Sequence, residues 1–227
     1  MSKNGLEYLQ STEKRRLDVI GGLVIASALA PVALATGAAS AIDSKRVNPL
    51  FIQERLGGKG EQYFNTLKFQ TLSKNLGSFA SNQTFGTFDP RASRLGQFLR
   101  QSGLDEVPQV VNVLKGDMSL VGARPLAAVD IERYETVDSK LFDEWYPSLK
   151  VAKAGLMGES QIYRHHYRFT TDEMVKKSME MDLKYFETAS LKQDLHWIAR
   201  APLNMVVANV GVVENFENPV ELQQITA

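Results

Sequence analysis

Two adjacent carboxylates, Asp105 and Glu106, stand just ahead of the apolar run in "SGLDEVPQVVNVLKGDMSLVGARP". Pro108 lacks an N–H and is tolerated in a helix only within the first turn, so a helix should open here with both acids at its N-terminus. Two uses of the pair compete. First-turn acids gain about 0.3–1 kcal/mol each from the macrodipole, and Ser102-Gly103-Leu104-Asp105 has the look of a capping box. The same dipole would keep Asp105 ionised while nearby arginines gather phosphate oxygens, and a carboxylate so placed can attack a phosphoryl centre.

The other chemistry-bearing runs are weaker. Gly57-Gly58-Lys59-Gly60 lacks the spacing and the following helix of a P-loop, and reads as a hairpin turn. "RHHYRF", residues 164–169, mixes cations and aromatics suited to a nucleotide or lipid phosphate. Its adjacent His165 and His166 diverge in any regular element and have no evident third ligand, so they do not read as a metal pair. The chain has no cysteine among its 227 residues, which leaves oxygen, nitrogen or a metal to do any chemistry.

The elements that must position these residues form an α+β, mainly helical pattern. An apolar strand at 50–54 and an aromatic-rich strand ending at Phe69 make a hairpin. A polar loop follows over 73–88. From Arg91 the period is helical, with Leu95, Phe98 and Leu99 on one face and Gly103 as the stop. The helix opened by Asp105 carries Val107, Val110, Val111 and Leu114 on one side. Further helices are predicted over 127–137, 171–181 and 181–198, with Leu195, Trp197 and Ile198 suited to a bilayer interface or to the core. After Glu214 the tail is polar.

Ahead of the hairpin, 24 residues between Asp18 and Asp43 carry no charge. Three readings compete: a signal peptide ending in "ATGAASA", a single span of about 36 Å, and a re-entrant helix. Pro31 removes one helical hydrogen bond and should kink or break the segment. Lys14, Arg15 and Arg16 precede it and Lys45, Arg46 and Arg55 follow, which gives a span no orientation and suits a helix that enters and leaves on the cytoplasmic side. Residues 43–104 hold nine Lys/Arg against four Asp/Glu, whereas 105–149 hold four against nine. A basic half beside an apolar segment suits anionic head groups or a phosphorylated ligand. Zero net charge and the lack of a recognisable motif argue against nucleic acid. Three parts follow: an N-terminal segment at 1–43 carrying the apolar run, a folded domain at 44–213 and a polar tail at 214–227.

The order of "KRRLD", the apolar segment with its proline, "FIQERLG", "KFQT", "DPRASRLGQFLR", "LDEVPQVVNVLKGDMSLVGARP", "KAGLMG" and "MDLKYFETASLKQDL" resembles the bacterial sugar transferases called monotopic phosphoglycosyl transferases, in their compact form. The resemblance implies transfer of a sugar 1-phosphate from a UDP-sugar to polyprenyl (undecaprenyl) phosphate, with release of UMP, to start a surface glycan. It implies a re-entrant helix broken at a Ser-Pro pair, matched here by Ala30 and Pro31, and a place at the cytoplasmic face of the inner membrane among its lipids. Asp105 matches the nucleophile that forms a covalent phosphosugar. Glu106 matches its partner, and the pair works with Mg²⁺. Lys68, Arg100 and Arg124 match basic residues of the phosphate site. The sugar is left open, and so is oligomeric state, with a homodimer one option. Gln70, Ala154 and Glu159 depart from the family pattern, which motivates an alternative reading as a catalytically weakened scaffold. A third reading is an exported binding domain behind a cleaved signal peptide.

Overall fold

The computed structural model describes residues 3–45, 47–58, 62–72, 89, 91–165 and 170–211, with side chains at all of these except 3, 4, 58, 62, 165 and 202–211. The turn at 59–60, the loop over 73–88, residues 166–169 of "RHHYRF" and the tail after Glu214 lie outside the described residues. Helix α1 (Lys3–Leu9) precedes α2 (Thr12–Ser44), whose Ser11 cap accepts from Lys14 N at 3.0 Å. An antiparallel hairpin follows, β1 (Leu50–Gly58) with β2 (Gln62–Phe69). Then come α3 (Arg94–Ser102), a 3₁₀ helix (Leu104–Gln109) running directly into α4 (Val110–Lys115), and β3 (Ser119–Val121). Next are α5 (Ala128–Val137), α6 (Ser139–Leu149), β4 (Gly155–Met157), α7 (Glu159–His165), α8 (Asp172–Thr188) and α9 (Leu191–Gly211).

The core gathers Met118, Leu120, Trp145, Val175, Met179 and Phe186, each under 2% exposed, with Tyr8 of α1 among them. Trp197 and Ile198 pack against this core, while Leu195 stays half exposed. Two short parallel strands, β3 and β4, run through its middle, with Ser119 opposite Gly155 and Val121 opposite Met157. Their backbones meet with no side chain between them: a Cβ on Gly155 would stand 2.1 Å from Gly122 N. That contact explains why the "VGARP" and "AGLMG" runs each place a glycine there.

Helix α2 continues as one helix through Ala30 and Pro31, so the pair does not divide it into two separate helices. Proline still removes one N–H bond there, the ordinary cause of a kink in a continuous helix. Among the described residues α2 alone is long and apolar enough to cross a membrane; its most apolar 18 residues average a hydropathy of 2.1 and are only 11% buried. Both ends dock on the same body. At the first end Arg15 donates to Val113 O and Leu114 O, each at 2.7 Å, and Lys14 reaches Val121 O. Gly21 and Gly22 allow the close approach, since a Cβ on Gly21 would meet Leu120 Cδ1 at 2.5 Å. At the second end Ser40 donates to Gln70 O at 2.6 Å, and Ser93 donates to Asp43 at 2.5 Å. Between them Leu23, Val24, Val32 and Leu34 are exposed. Lys14 and Arg15 are therefore not head-group charges as their flanking position suggested; Lys14 is 4% exposed and both bind carbonyls.

Other expectations shift. Ser102 ends α3 and donates to Phe98 O at 2.8 Å, so it is no cap for the next helix; Gly103, at φ 70°, makes that junction without a side-chain bond. The acids do fall in the first turn, but that turn is 3₁₀ and Pro108 sits inside it, the missing N–H favouring a tighter wind before the α-helix starts at Val110. Val111, grouped with Val110 on one side of the helix, is 40% exposed where Val110 is buried. The boundary near Met181 is absent. Helix α8 runs through it and stops at Ala189-Ser190, where Ser190 accepts from Gln193 N at 3.3 Å to open α9.

Candidate active site

The hairpin sorts its residues by face. Gln53 pairs with Thr66 and Phe51 with Lys68 on one side, while Leu50 pairs with Phe69 and Ile52 with Leu67 on the other. Asn112 of α4 fixes the hairpin against the 3₁₀ helix, accepting from Leu67 N at 3.1 Å and donating to Asn65 O at 2.7 Å. The result sets Lys68 Nζ 2.7 Å from Glu106 Oε1, a largely buried ion pair. At the far end of β1, Leu56 exchanges backbone bonds with Leu126 at 2.7 and 2.9 Å, which draws Arg124 and Pro125 beside Arg55.

These elements bring Arg55, Thr66, Lys68, Glu106, Gln109, Arg124 and Gln161, with Pro125, Gly155 and Leu156, around a narrow pocket of about 10 Å³, room for little more than one water. Three of the expected residues, Lys68, Glu106 and Arg124, meet there. Asp105 and Arg100 are not on its wall. Asp105 is 6% exposed, and both it and Arg100 stand within electrostatic reach of the cluster. Burial, and then the charge of Glu106, pushes the Asp105 carboxyl up to about 6, against the pull of Lys68, Arg100 and Arg124. Burial lowers Lys68, with Glu106 opposing.

Sequence reasoning assigned Arg55 to the membrane flank. Its guanidinium is 7% exposed, donates to Gln53 Oε1 at 3.1 and 2.6 Å, and stands 3.4 Å from Asp130 Oδ2. Burial and the neighbouring Arg124 lower it to about 10. The signal that could have placed it is alternation: Gln53 and Arg55 share the face of β1 that Thr66 and Lys68 share on β2. Gln161 was also missed. Its Nε2 donates to Gly155 O at 3.0 Å, and Ser160 beside it donates to Asp182 at 2.6 Å. Asp182 also accepts from Trp145 Nε1 at 3.2 Å, and burial pushes it up to about 7. Arg164, the described start of "RHHYRF", donates to Tyr134 OH at 2.7 Å.

The departures from the family pattern have local explanations. Gln70 is buried and donates to Leu72 O at 3.0 Å, and it is not on the pocket wall. Ala154 N donates to Gly57 O at 2.6 Å, a bond that the usual proline has no N–H to make. Glu159 opens α7 in its first turn.

The same two segments that wall the pocket also wall an apolar groove on their opposite faces. Leu67 and Phe69 of β2 and Val107, Pro108, Val110 and Val111 after the acids face Ala26, Leu29, Ala30, Ala33 and Leu34 of α2 across a groove of about 630 Å³. One β-strand and one helical turn thus separate a cationic pocket from an apolar groove.

A family model described as bacterial sugar transferase matches residues 9–208. The chain is 34% identical over 188 residues to the UDP-glucose:undecaprenyl-phosphate glucose-1-phosphate transferase of Caulobacter vibrioides, covering 82% of this chain and 67% of the relative. It is 33% identical over 196 residues to the undecaprenyl-phosphate glucose phosphotransferase of Komagataeibacter xylinus, covering 86% of this chain but 36% of that protein. It is 30% identical over 187 residues to the UDP-N-acetylgalactosamine-undecaprenyl-phosphate N-acetylgalactosaminephosphotransferase of Aeromonas hydrophila, covering 80% and 41%. The chain therefore spans two thirds of the first of these relatives and well under half of the other two. On the match over residues 9–208, together with the pocket those residues build, the chain belongs to the bacterial sugar transferase family.

Proposed function

We propose that the chain transfers a sugar 1-phosphate from a UDP-sugar to polyprenyl phosphate, undecaprenyl phosphate in the relatives' names, through a covalent intermediate on Asp105. The observation that carries this reading is the convergence of Arg55, Lys68 and Arg124 on a pocket beside Glu106 and the buried Asp105. A diphosphate donor brings negative charge to a negative nucleophile, so attack requires preorganised cations around the phosphorus.

In the first step a carboxylate oxygen of Asp105 attacks the phosphorus bearing the sugar, the bond from that phosphorus to the UMP oxygen breaks, and UMP leaves with the electron pair. In the second, a phosphate oxygen of the lipid attacks the same phosphorus, the bond to Asp105 breaks, and the carboxylate is regenerated. One small site can then serve a soluble donor and a lipid acceptor in turn. At neutral pH a carboxyl titrating at about 6 is mostly ionised and ready to attack. The apolar groove lies one strand away and suits the acceptor's hydrocarbon chain.

Mg²⁺ is compatible with these residues. It is held by one or two carboxylates together with substrate phosphates, and the adjacent Asp105 and Glu106 are such a set. No cluster of three or more His, Cys, Asp or Glu exists among the described residues, so the phosphates would complete the coordination. When bound, Mg²⁺ would neutralise charge on the diphosphate.

Helix α2 is read as re-entrant, entering and leaving on the cytoplasmic face of the inner membrane. Its two ends dock on one body and its exposed apolar middle stands between them, which supports that topology over a straight crossing. The same docking opposes removal as a signal peptide, since Lys14 and Asp18 are buried in the body. The scaffold alternative rests on departures that do not line the pocket.

The test supplies UDP-sugars, polyprenyl phosphate and Mg²⁺ to membranes holding the protein and follows UMP. UMP release that depends on Asp105 is expected with at least one sugar; Asp105→Asn turning over like the native chain would remove the proposed nucleophile.

A further inference from the structure

Strand β3 is three residues long, and side chains of α2 take a polar group from each of them. Asp18 Oδ1 accepts from Ser119 Oγ at 2.8 Å and from Leu120 N at 2.9 Å. Lys14 Nζ donates to Val121 O at 2.9 Å. The Lys14 ammonium is itself fixed, by Asp194 Oδ2 at 2.6 Å and by Asp18 Oδ1 at 3.6 Å. Asp194, fully buried, is fixed in turn by Tyr8 OH at 2.8 Å and Tyr185 OH at 2.7 Å. Burial and the Asp194 charge raise both tyrosines, so they remain donors.

Three residues beyond Val121 comes Arg124. Its chain is held on the other side by Leu126, which exchanges two backbone bonds with Leu56 of the hairpin. Arg124 therefore stands on a short bridge with one pier on the membrane helix and one on the strand that carries Arg55. Backbone bonds tie β3 to β4, among them Ser119 N to Ala154 O at 2.8 Å and Gly122 N to Met157 O at 3.0 Å, and the side-chain bonds from α2 add the tie between this short ladder and the membrane helix.

We infer that Lys14 and Asp18 are positioning residues for Arg124, so that seating of the membrane helix and assembly of the phosphate site are one event. The inference rests on the reading of Arg124 as a phosphate-binding residue of the transferase. A catalytic body with α2 unseated would keep its core and lose the placement of this arginine.

The experiment uses the full chain in nanodiscs and contrasts two substitutions at one position. Asp18→Asn keeps an acceptor for Ser119 and Leu120, whereas Asp18→Leu has similar volume and none. In Asp18→Asn, amide exchange over 119–124 and the KM for the UDP-sugar should stay within threefold of the native values. In Asp18→Leu, exchange of the Leu120 and Gly122 amides should rise at least tenfold and the donor KM about tenfold. Combined with Arg124→Lys, the loss should be close to that of the larger single change, because both act on one group. Losses that multiply, or native exchange and KM in Asp18→Leu, would overturn the inference. Should Asp18→Leu not fold, Ser119→Ala enters the same cycle with a three- to fivefold effect expected. A native chain that releases no UMP from any UDP-sugar defeats the functional reading instead, and the exchange contrast still decides whether α2 holds β3.

Discussion

Two buried ionic clusters lie within this one body, and they are built on opposite terms. Around Lys14 the charges close on one another: one ammonium meets two carboxylates and a carbonyl, two tyrosines donate to Asp194, and the Ser119 hydroxyl and Leu120 N–H donate to Asp18 Oδ1. Around Lys68 the charged side chains line a pocket instead of closing on one another, and burial there moves Asp105 upward and Lys68 and Arg55 downward. A cluster that satisfies itself fixes structure. One that leaves several cations facing a cavity is arranged for an anion that arrives later.

That contrast fails most visibly if Asp105 behaves like a structural acid. Asp105→Asn should lower UMP release by at least about a thousandfold, since removal of a covalent nucleophile leaves only binding and electrostatics. It should also stabilise the fold. The Asp105 carboxyl is raised in the folded state, so the folded chain prefers it protonated, and stability falls as pH rises from about 4 to about 6. Asn removes that cost, and a thermal melt should place the variant above the native chain at pH 8 and level with it at pH 4.

At the other cluster the expected signs reverse. Lys14→Met leaves Asp194 buried without its cation and should cost about 3–5 kcal/mol, read as a fall in melting temperature. A melt unchanged by this substitution would erase the distinction between the clusters.

Lys68→Met sharpens the comparison within the pocket. It should lower UMP release by about a hundredfold, the scale of removing one preorganised charge contact. Loss of a neighbouring cation should push the Asp105 carboxyl higher still, so the acid limb of the pH–rate profile, expected near pH 6 in the native chain, should move up in the variant. The smallest effect is expected at Gln70, whose amide bonds Leu72 O away from the pocket: Gln70→Ala should keep turnover within about threefold and lower the melt slightly, a lost hydrogen bond being worth about 1 kcal/mol.

The carboxylate pair, the hairpin and the apolar helix were legible in the sequence because each is a local pattern. A proline after two acids opens a helical turn, alternation makes the hairpin, and 24 uncharged residues make a long apolar helix. What escaped depended on contacts far apart in the chain. Strands β3 and β4 are three residues each and have no period to read; they exist because Gly122 and Gly155 let their backbones touch. Arg55 and Lys14 read as flanking positive charge, since sequence cannot tell a cation facing head groups from one turned inward onto Gln53 or Val121 O. Pro31 read as a kink or a break, and the helix runs on through it as one element.

The most direct measurement is the intact mass of the purified chain after incubation with a UDP-sugar and Mg²⁺ in the absence of lipid acceptor. A gain of one phosphosugar, mapped to Asp105, absent from Asp105→Asn and discharged on adding polyprenyl phosphate, is the expected result. UMP release without any adduct, or an adduct that persists in Asp105→Asn, would contradict the placement of the reaction on this residue.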